Sequence, residues 1–139
     1  MAFDKKFATG IHIAVVLSCF TKLATSDLLA KSVATNPGLI RRIAAKLHKA
    51  GIIKCYAGKN GGMELSKAPE EITLLEIYEA LSLTPVLKTS DREVFSPCYI
   101  SCNISHVLGG IFEEGEQALK NTLADKTIAD VKNKIEIIR

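Results

Sequence analysis

The sequence of 139 residues predicts a mainly α-helical fold with one small β-hairpin. Two observations support this prediction. Apolar residues recur at spacings of three and four in most segments, which is typical of helices that bury one face. One short segment instead alternates apolar and polar residues beside a cluster of glycines, which is typical of a hairpin. The chain is long enough for one domain with a sizeable core.

The first two predicted helices are a longer apolar one and a short one. The first covers about residues 4–20, and its inward face consists of Phe7, Ile11, Ala14, Val15 and Cys19. The second begins at Thr25 or Ser26, because hydroxyl side chains cap helix N-termini. The inward residues of the second helix are Leu28, Leu29 and Val33.

The third predicted helix has two chemically distinct faces. Asn36 is a suitable N-cap, Pro37 fits the first helical position, and Gly51 ends the helix. The apolar face consists of Ile40, Ile43, Ala44 and Leu47. The opposite face carries only cations, which are Arg41, Arg42, Lys46 and Lys49. Two short helices joined by a tight turn, the second of them basic, predict a helix-turn-helix.

A β-hairpin is predicted directly after this helix. Its strands cover residues 52–56, with Cys55 on the inward face, and residues 63–66. Asn60 and the two glycines after it supply the positive φ angles that a tight hairpin turn requires. A phosphate-binding loop is disfavoured, because no Gly-Lys-Ser/Thr follows. With the helix-turn-helix, the hairpin predicts a winged helix-turn-helix.

The C-terminal part is predicted to contain a short helix, a loop, a long helix and a final helix. Thr73 and Glu76 form a capping box before the short helix, and Thr127 caps the final one. The long helix is predicted from about Ile104. The predicted organisation is a winged-helix domain over residues 1–83, a cysteine-containing loop over 84–103, and a dimerisation helix with a C-terminal helix over 104–139.

The long helix has two interpretations. It could pack back onto its own domain, or it could pair with the same helix of a second copy. We favour a homodimer, because winged-helix proteins usually read paired half-sites and twofold symmetry supplies them.

Charge is distributed unevenly along the chain. The net charge is only +3, but residues 1–67 carry a balance of +8 and residues 68–139 a balance of −5. A basic half of this kind is suited to a polyanion such as nucleic acid.

Several classes of protein are disfavoured by the sequence. No apolar run approaches the roughly 20 residues of a membrane span, so we expect no membrane partner and a cytoplasmic location. No nucleophile–base pair, cofactor loop or paired carboxylates are recognisable, so we expect no enzymatic activity.

Four ordered motifs resemble the Rrf2 family of bacterial transcription regulators, and within it the YwnA-like subgroup. The motifs are SDLLAKSVATNPGLIRRI, KLHKAGII, GKNGGMEL and APEEITLLEIYEAL. With the first and the long helix, the resemblance covers nearly the whole chain. It implies a winged helix-turn-helix dimer that binds a near-palindromic operator in double-stranded DNA and is often regulated through cysteines.

The resemblance also implies which residues contact DNA. Those that fall where the family's recognition helix faces the major groove are Asn36, Gly38, Leu39, Arg41, Arg42 and Lys46. Lys59 falls at the wing tip, where relatives place a basic residue in the minor groove. Arginine can clamp guanine through paired hydrogen bonds, whereas Lys46, Lys49 and Lys54 suit phosphate.

The cysteines leave several possibilities open. Cluster-binding relatives carry three cysteines before the long helix, whereas this chain has only Cys98 and Cys102, with His106 four residues further on. We therefore expect no cofactor and interpret Cys98 and Cys102 as sensor thiols. The resemblance implies that Cys98 is the reactive one, because it is similar to the subgroup's cysteine in this loop and follows Ser96 and Pro97. The alternatives are an iron–sulfur cluster, or zinc held by Cys98, Cys102 and His106. Cys19 and Cys55 are expected to be inert core residues.

The sequence therefore predicts a homodimeric DNA-binding transcriptional regulator, a repressor that responds to thiol or redox chemistry through Cys98. One alternative is an iron–sulfur or zinc regulator of the same fold. The other is a winged-helix module that binds protein and never contacts DNA.

Overall fold

The computed structural model describes residues 5–81 and 85–138. It contains six helices and one two-stranded antiparallel sheet within those ranges, and the predicted fold class is confirmed. The elements in chain order are α1 (Lys6–Cys19), α2 (Ser26–Val33), α3 (Pro37–Lys49), β1 (Ile53–Tyr56), β2 (Gly62–Leu65), a 3₁₀ turn (Pro69–Glu71), α4 (Leu74–Ala80), α5 (Tyr99–Ala124) and α6 (Ile128–Ile138).

The chain divides into two compact units. The first combines residues 1–83 with residues 123–139, and the second consists of residues 84–122. The core of the first unit is formed by side chains from α1, α2, α3, β1, α4, α6 and the residues that flank α4. The largest fully buried side chains are Ile13, Leu29, Ile40, Ile43, Leu47, Ile53, Ile72, Ile77, Leu81 and Ile128.

The final helix α6 belongs to the first unit through backbone pairing at its start. Leu74 N–H donates to the carbonyl of Lys126 at 2.9 Å, and Ile128 N–H donates to that of Ile72 at 2.9 Å. Thr127 caps α6 as predicted: its hydroxyl accepts from Asp130 N–H, and the Asp130 carboxylate accepts from Thr127 N–H. The Thr127 backbone hydrogen bond lowers the pKa of Asp130.

The junction of α2 and α3 depends on a residue in the left-handed conformation. Ala34 has φ +64°, its N–H donates to the carbonyl of Lys31, and Thr35 N–H donates to that of Ala30. This is the Schellman arrangement, in which glycine normally occupies the left-handed position. The chain therefore turns sharply into α3 at an alanine whose left-handed backbone conformation is strained by its Cβ atom.

The hairpin of β1 and β2, which we call the wing, has strands within one residue of the predicted bounds but a different turn. Positive φ angles occur at Gly58 (+97°) and Gly62 (+152°) and not at Asn60 or Gly61. The connection spans five residues, and Gly61 N–H closes it on the carbonyl of Gly58 at 3.0 Å. In a five-residue connection the change of chain direction is spread over several residues. The Asn-Gly pair therefore need not adopt the positive φ angles that a two-residue hairpin loop requires.

The wing is fixed to the segment before α2. Met63 and Ala24 exchange two backbone hydrogen bonds of 2.8 and 3.0 Å. A Cβ on Gly62 would lie 2.9 Å from the carbonyl oxygen of Ala24, so the close approach requires glycine.

In the second unit, the long helix begins at Tyr99, five residues before the predicted start. Ser96 and Pro97 form a turn, and Phe95 N–H donates to the Ser101 hydroxyl at 2.8 Å, which orders the first helical turn. The loop expected to reach residue 103 therefore ends earlier. The expected boundary between residues 83 and 84 lies outside the described residues.

Three burial expectations were wrong. Cys19 and Cys55 are exposed, and so is Leu28, at 42%. Ala14 and Val15 of α1 are buried as predicted, and Ile13 and Leu17 are buried beside them. No helix in the described ranges is long and apolar enough to span a membrane.

Ala34→Gly should raise the free energy of unfolding by about 1 kcal/mol, because it removes the strain of a left-handed alanine. Ala8→Gly, at an exposed position inside α1, should lower it by about 1 kcal/mol. Urea denaturation measures both. The same sign for both variants would contradict the left-handed geometry at Ala34.

Candidate nucleic-acid interface

The N-terminus of α3 is capped as the sequence predicts. The Asn36 Oδ1 atom accepts from Leu39 N–H at 2.8 Å, and Pro37 occupies the first helical turn. A Cβ on Gly38 would lie 3.1 Å from that oxygen, so glycine leaves the cap undisturbed. Leu39 is half-buried and packs against the core. The cap uses the side-chain oxygen of Asn36 and leaves the side-chain NH₂ free to donate to another group.

The cationic face of α3 consists of Arg41, Arg42, Lys46 and Lys49, all of them exposed. Within residues 5–81 and 85–138, no carboxylate lies within ion-pair distance of any of the four. Arg41 Nη1 donates to the Ser26 hydroxyl at 3.4 Å, which links α3 to the start of α2. The face thus presents four cations without internal neutralisation, which suits an external polyanion.

The wing adds further cations. Lys59 lies exposed in the connecting loop, and Lys54 is exposed on β1 opposite Glu64. The Tyr56 hydroxyl donates to the Glu64 carboxylate at 2.9 Å, and this hydrogen bond raises the pKa of Tyr56.

A cleft of about 560 Å³ separates α3 from the wing. Polar or charged side chains enter it from three elements, and its remaining lining is small or apolar. The lining includes Ser26, Arg41, Ala45, His48, Cys55 and Lys59. Partial burial raises the pKa of the Cys55 thiol, which disfavours its reactive thiolate.

Sequence reasoning missed this cleft and the partner of His48. The His48 Nδ1 atom lies 3.2 Å from the carbonyl oxygen of Ile53. His12 has Nε2 3.0 Å from the Ser32 hydroxyl, a second contact that the sequence does not indicate. Both contacts join residues of different elements, and no local pattern in the sequence indicates them.

The second unit carries the two predicted sensor thiols. Cys98 is half-buried just before α5, and its Sγ accepts from Ser101 N–H at 3.5 Å. Cys102 is exposed, and its thiol donates to the Ser96 carbonyl at 3.6 Å. The Cys98 sulfur therefore occupies the helix N-terminus, where negative charge is favoured.

These residues do not fit an iron–sulfur cluster or a zinc site. Among the described residues, no group of three histidine, cysteine, aspartate or glutamate side chains is arranged to hold a metal, and this includes Cys98, Cys102 and His106. A cluster usually requires four ligands that are mostly thiolates, and a structural zinc site also requires four. One chain supplies two neighbouring thiols, both engaged in local hydrogen bonds.

Comparison with known proteins gives consistent matches over most of the chain. A family model described as Rrf2, iron-dependent transcriptional regulator, matches residues 3–134. YwnA of Bacillus subtilis, a candidate HTH-type transcriptional regulator, is 35% identical over 130 residues, which cover 94% of this chain and 96% of YwnA.

Solved structures agree with these matches. A candidate transcriptional regulator from Lactobacillus plantarum superposes with a TM-score of 0.79 at 26% identity, covering 95% of this chain and 90% of that one. A candidate DNA-binding protein superposes with a TM-score of 0.73 at 34% identity, covering 91% and 97%.

Asn36→Ala should lower the free energy of unfolding by about 1 kcal/mol, because Leu39 N–H loses its acceptor. Asn36→Ser, which can restore the cap, should lose much less. Asn60→Ala, in the exposed wing loop, is the control and should stay within about 0.5 kcal/mol of the parent. Equal losses for Asn36→Ala and Asn36→Ser in urea denaturation would rule out the side-chain cap.

Proposed function

Because this chain belongs to the Rrf2 family of transcriptional regulators, we propose that it is a homodimeric, DNA-binding repressor that acts in the cytoplasm and is controlled through Cys98. The observation that carries the proposal is the unneutralised cationic face of α3 beside a basic wing. This combination matches a helix that enters the major groove while a hairpin reaches the adjacent backbone and minor groove.

Residues of α3 have different roles in this proposal. Arg41 and Arg42 read base edges, because a guanidinium can donate two parallel hydrogen bonds to guanine. Lys46 and Lys49 contact phosphate, where a point charge suffices and carries no sequence information. At the start of α3, the Asn36 amide NH₂ is available to donate to DNA, and Gly38 allows close approach of the backbone. Leu39 contributes only the part of its side chain that does not pack on the core.

The wing extends the contact beyond the major groove. Lys59 is placed in the minor groove, whose negative potential attracts cations. The hydrogen bond from Tyr56 fixes the Glu64 carboxylate, the one carboxylate of the wing. Glu64 lies opposite Lys54 and partly offsets the positive charge that Lys54 presents to DNA.

Dimerisation is supported by an exposed apolar stripe on α5. The side chains of Ile100, Ile104, Val107 and Ile111 follow helical spacing and are 57, 44, 54 and 55% exposed. Four branched residues on one exposed stripe are unfavourable in water, so a second copy is their proposed cover. Two copies related by a twofold axis would present two α3 helices to a near-palindromic operator, and occupancy of a promoter would block transcription.

Regulation is assigned to Cys98. Its sulfur accepts from Ser101 N–H in the first turn of α5, so oxidation or alkylation would change the hydrogen bonding of that turn. Cys102 lies one helical turn after Cys98 and is the second thiol at the start of α5. A change at the start of the proposed dimer helix would alter the spacing of the two α3 helices and thereby operator affinity.

Two alternatives can be separated by direct measurements. A protein-binding module without DNA affinity is favoured only by the acidic balance of residues 68–139, and DNA binding that weakens steeply with salt would exclude it. An iron–sulfur or zinc regulator is disfavoured by the ligand set. An absorbance spectrum and metal analysis of anaerobically purified protein would detect either metal.

Arg42→Ala should weaken binding to an operator selected from random duplexes by about 1–3 kcal/mol and change binding to unselected DNA much less. Lys49→Ala is the matched control on the same face, and it should weaken both equally and reduce the salt slope by about 0.9. Fluorescence anisotropy titrations over a salt series measure these effects. Equal losses for Arg42→Ala on both duplexes would assign Arg42 to phosphate.

Cys98→Ser should bind the operator as tightly as the reduced parent protein but lose its response to hydrogen peroxide, because a hydroxyl is not oxidised under those conditions. Cys19→Ser, which changes an exposed thiol of the first unit, should leave the response intact. The measurement is operator affinity before and after peroxide treatment. An unchanged response in Cys98→Ser would overturn the assignment of the sensor.

A further inference from the structure

The hydrogen bond of His48 fixes the protonation pattern of its ring. The Ile53 carbonyl oxygen, 3.2 Å from Nδ1, can only accept, so Nδ1 must carry the hydrogen. In the neutral ring, Nε2 is therefore an acceptor. No described residue bonds to Nε2, and the side chain is exposed at the cleft between α3 and the wing. Protonation would convert Nε2 into a charged donor at this position.

Two permanent cations line the same cleft as His48. Arg41 enters from α3, and Lys59 enters from the wing loop. β1 contributes Cys55 and Tyr56, which are neutral near pH 7, while α2 and β2 contribute no charged side chain to the lining. Glu64, the carboxylate of the wing, does not line the cleft. A negative charge brought into the cleft from outside would therefore lie in the positive field of Arg41 and Lys59 and could be bound by a protonated His48.

The shape and remaining lining of the cleft suit a sugar–phosphate backbone. Ala45 and Ala57, both exposed, provide an apolar surface for a deoxyribose, and Gly58 and Gly61 leave the wing side open to close approach. The Ser26 hydroxyl, already oriented by Arg41, can donate to a phosphate oxygen. A DNA strand that contacts both α3 and the wing must pass over the cleft between them.

We propose that this cleft seats one phosphate of the DNA backbone and that His48 binds it as an imidazolium, so that DNA binding takes up a proton from solvent at Nε2. This inference rests on the proposed DNA-binding function and adds a residue and a pH dependence to it. With Nε2 deprotonated, the ring presents a lone pair to the phosphate and the contact is lost. DNA affinity therefore falls as pH rises through the range in which histidine loses its charge.

The test uses the full-length protein and a duplex of arbitrary sequence that covers two half-sites, because a phosphate contact does not depend on base sequence. Affinity should rise about tenfold between about pH 8 and pH 5.5, as expected for one charge-assisted hydrogen bond. The salt slope should be steeper by about 0.9 at the lower pH, because one more phosphate is neutralised.

Variants at position 48 separate the charge of the ring from its shape. His48→Gln should bind as the parent does at high pH and lose both pH effects. His48→Arg, with a fixed charge, should bind tightly at both pH values. His106→Gln, which removes an exposed histidine of α5, should keep the response of the parent. Circular dichroism and melting temperature verify that each variant is folded.

The possible failures are distinguishable. Absence of DNA binding at every pH would refute the proposed function itself. Binding that is present but retains its full pH response in His48→Gln would overturn the role of His48 alone. A pH response without a change in salt slope would exclude the phosphate as its partner.

Discussion

Burial of one face of α3 is the constraint on which the first unit depends. Ile40, Ile43 and Leu47 are at most 2% exposed, and they contact a core to which α1, α2, α4 and α6 also contribute. Removing such side chains from water supplies most of the stability of a small domain. Because the helix is rigid, burying that face sends Arg41, Arg42, Lys46 and Lys49 outward together. Packing and charge presentation are therefore two consequences of one orientation.

The same constraint positions the wing and creates the cleft. At the end of α3, Gly51 adopts φ +79°, and Ile52 N–H donates to the Leu47 carbonyl at 3.0 Å. This Schellman closure turns the chain directly into β1, whose first residue is buried in the same core. His48 in the last turn thereby reaches the Ile53 carbonyl and stands between helix and wing. The polar groups of the cleft are close together because the backbone reverses tightly on a packed helix.

The second unit differs in that its most conspicuous surface is apolar. The stripe on α5 has no cover in the described chain, whereas the thiols sit at the start of that same helix. A chemical change at these thiols would act on the first turn of the helix that carries the stripe. The proposed division of labour follows, with DNA contact assigned to α3 and the wing and its control to the start of α5.

Helix periodicity and capping chemistry were determined by the sequence alone, because both are local. Asn36, Thr73 and Thr127 cap the helices that they were expected to cap, and the two faces of α3 were correctly separated. The tertiary structure decided everything that depends on which elements meet. It exposed Cys55 although strand alternation placed it inward, because α3 leaves a cleft at that point. It placed positive φ angles at Gly58 and Gly62, because the fixed pairing of Ala24 with Met63 sets where the wing reverses. It also gave His48 a carbonyl partner five residues away, a contact that requires the turn after α3 and cannot be inferred from residue spacing.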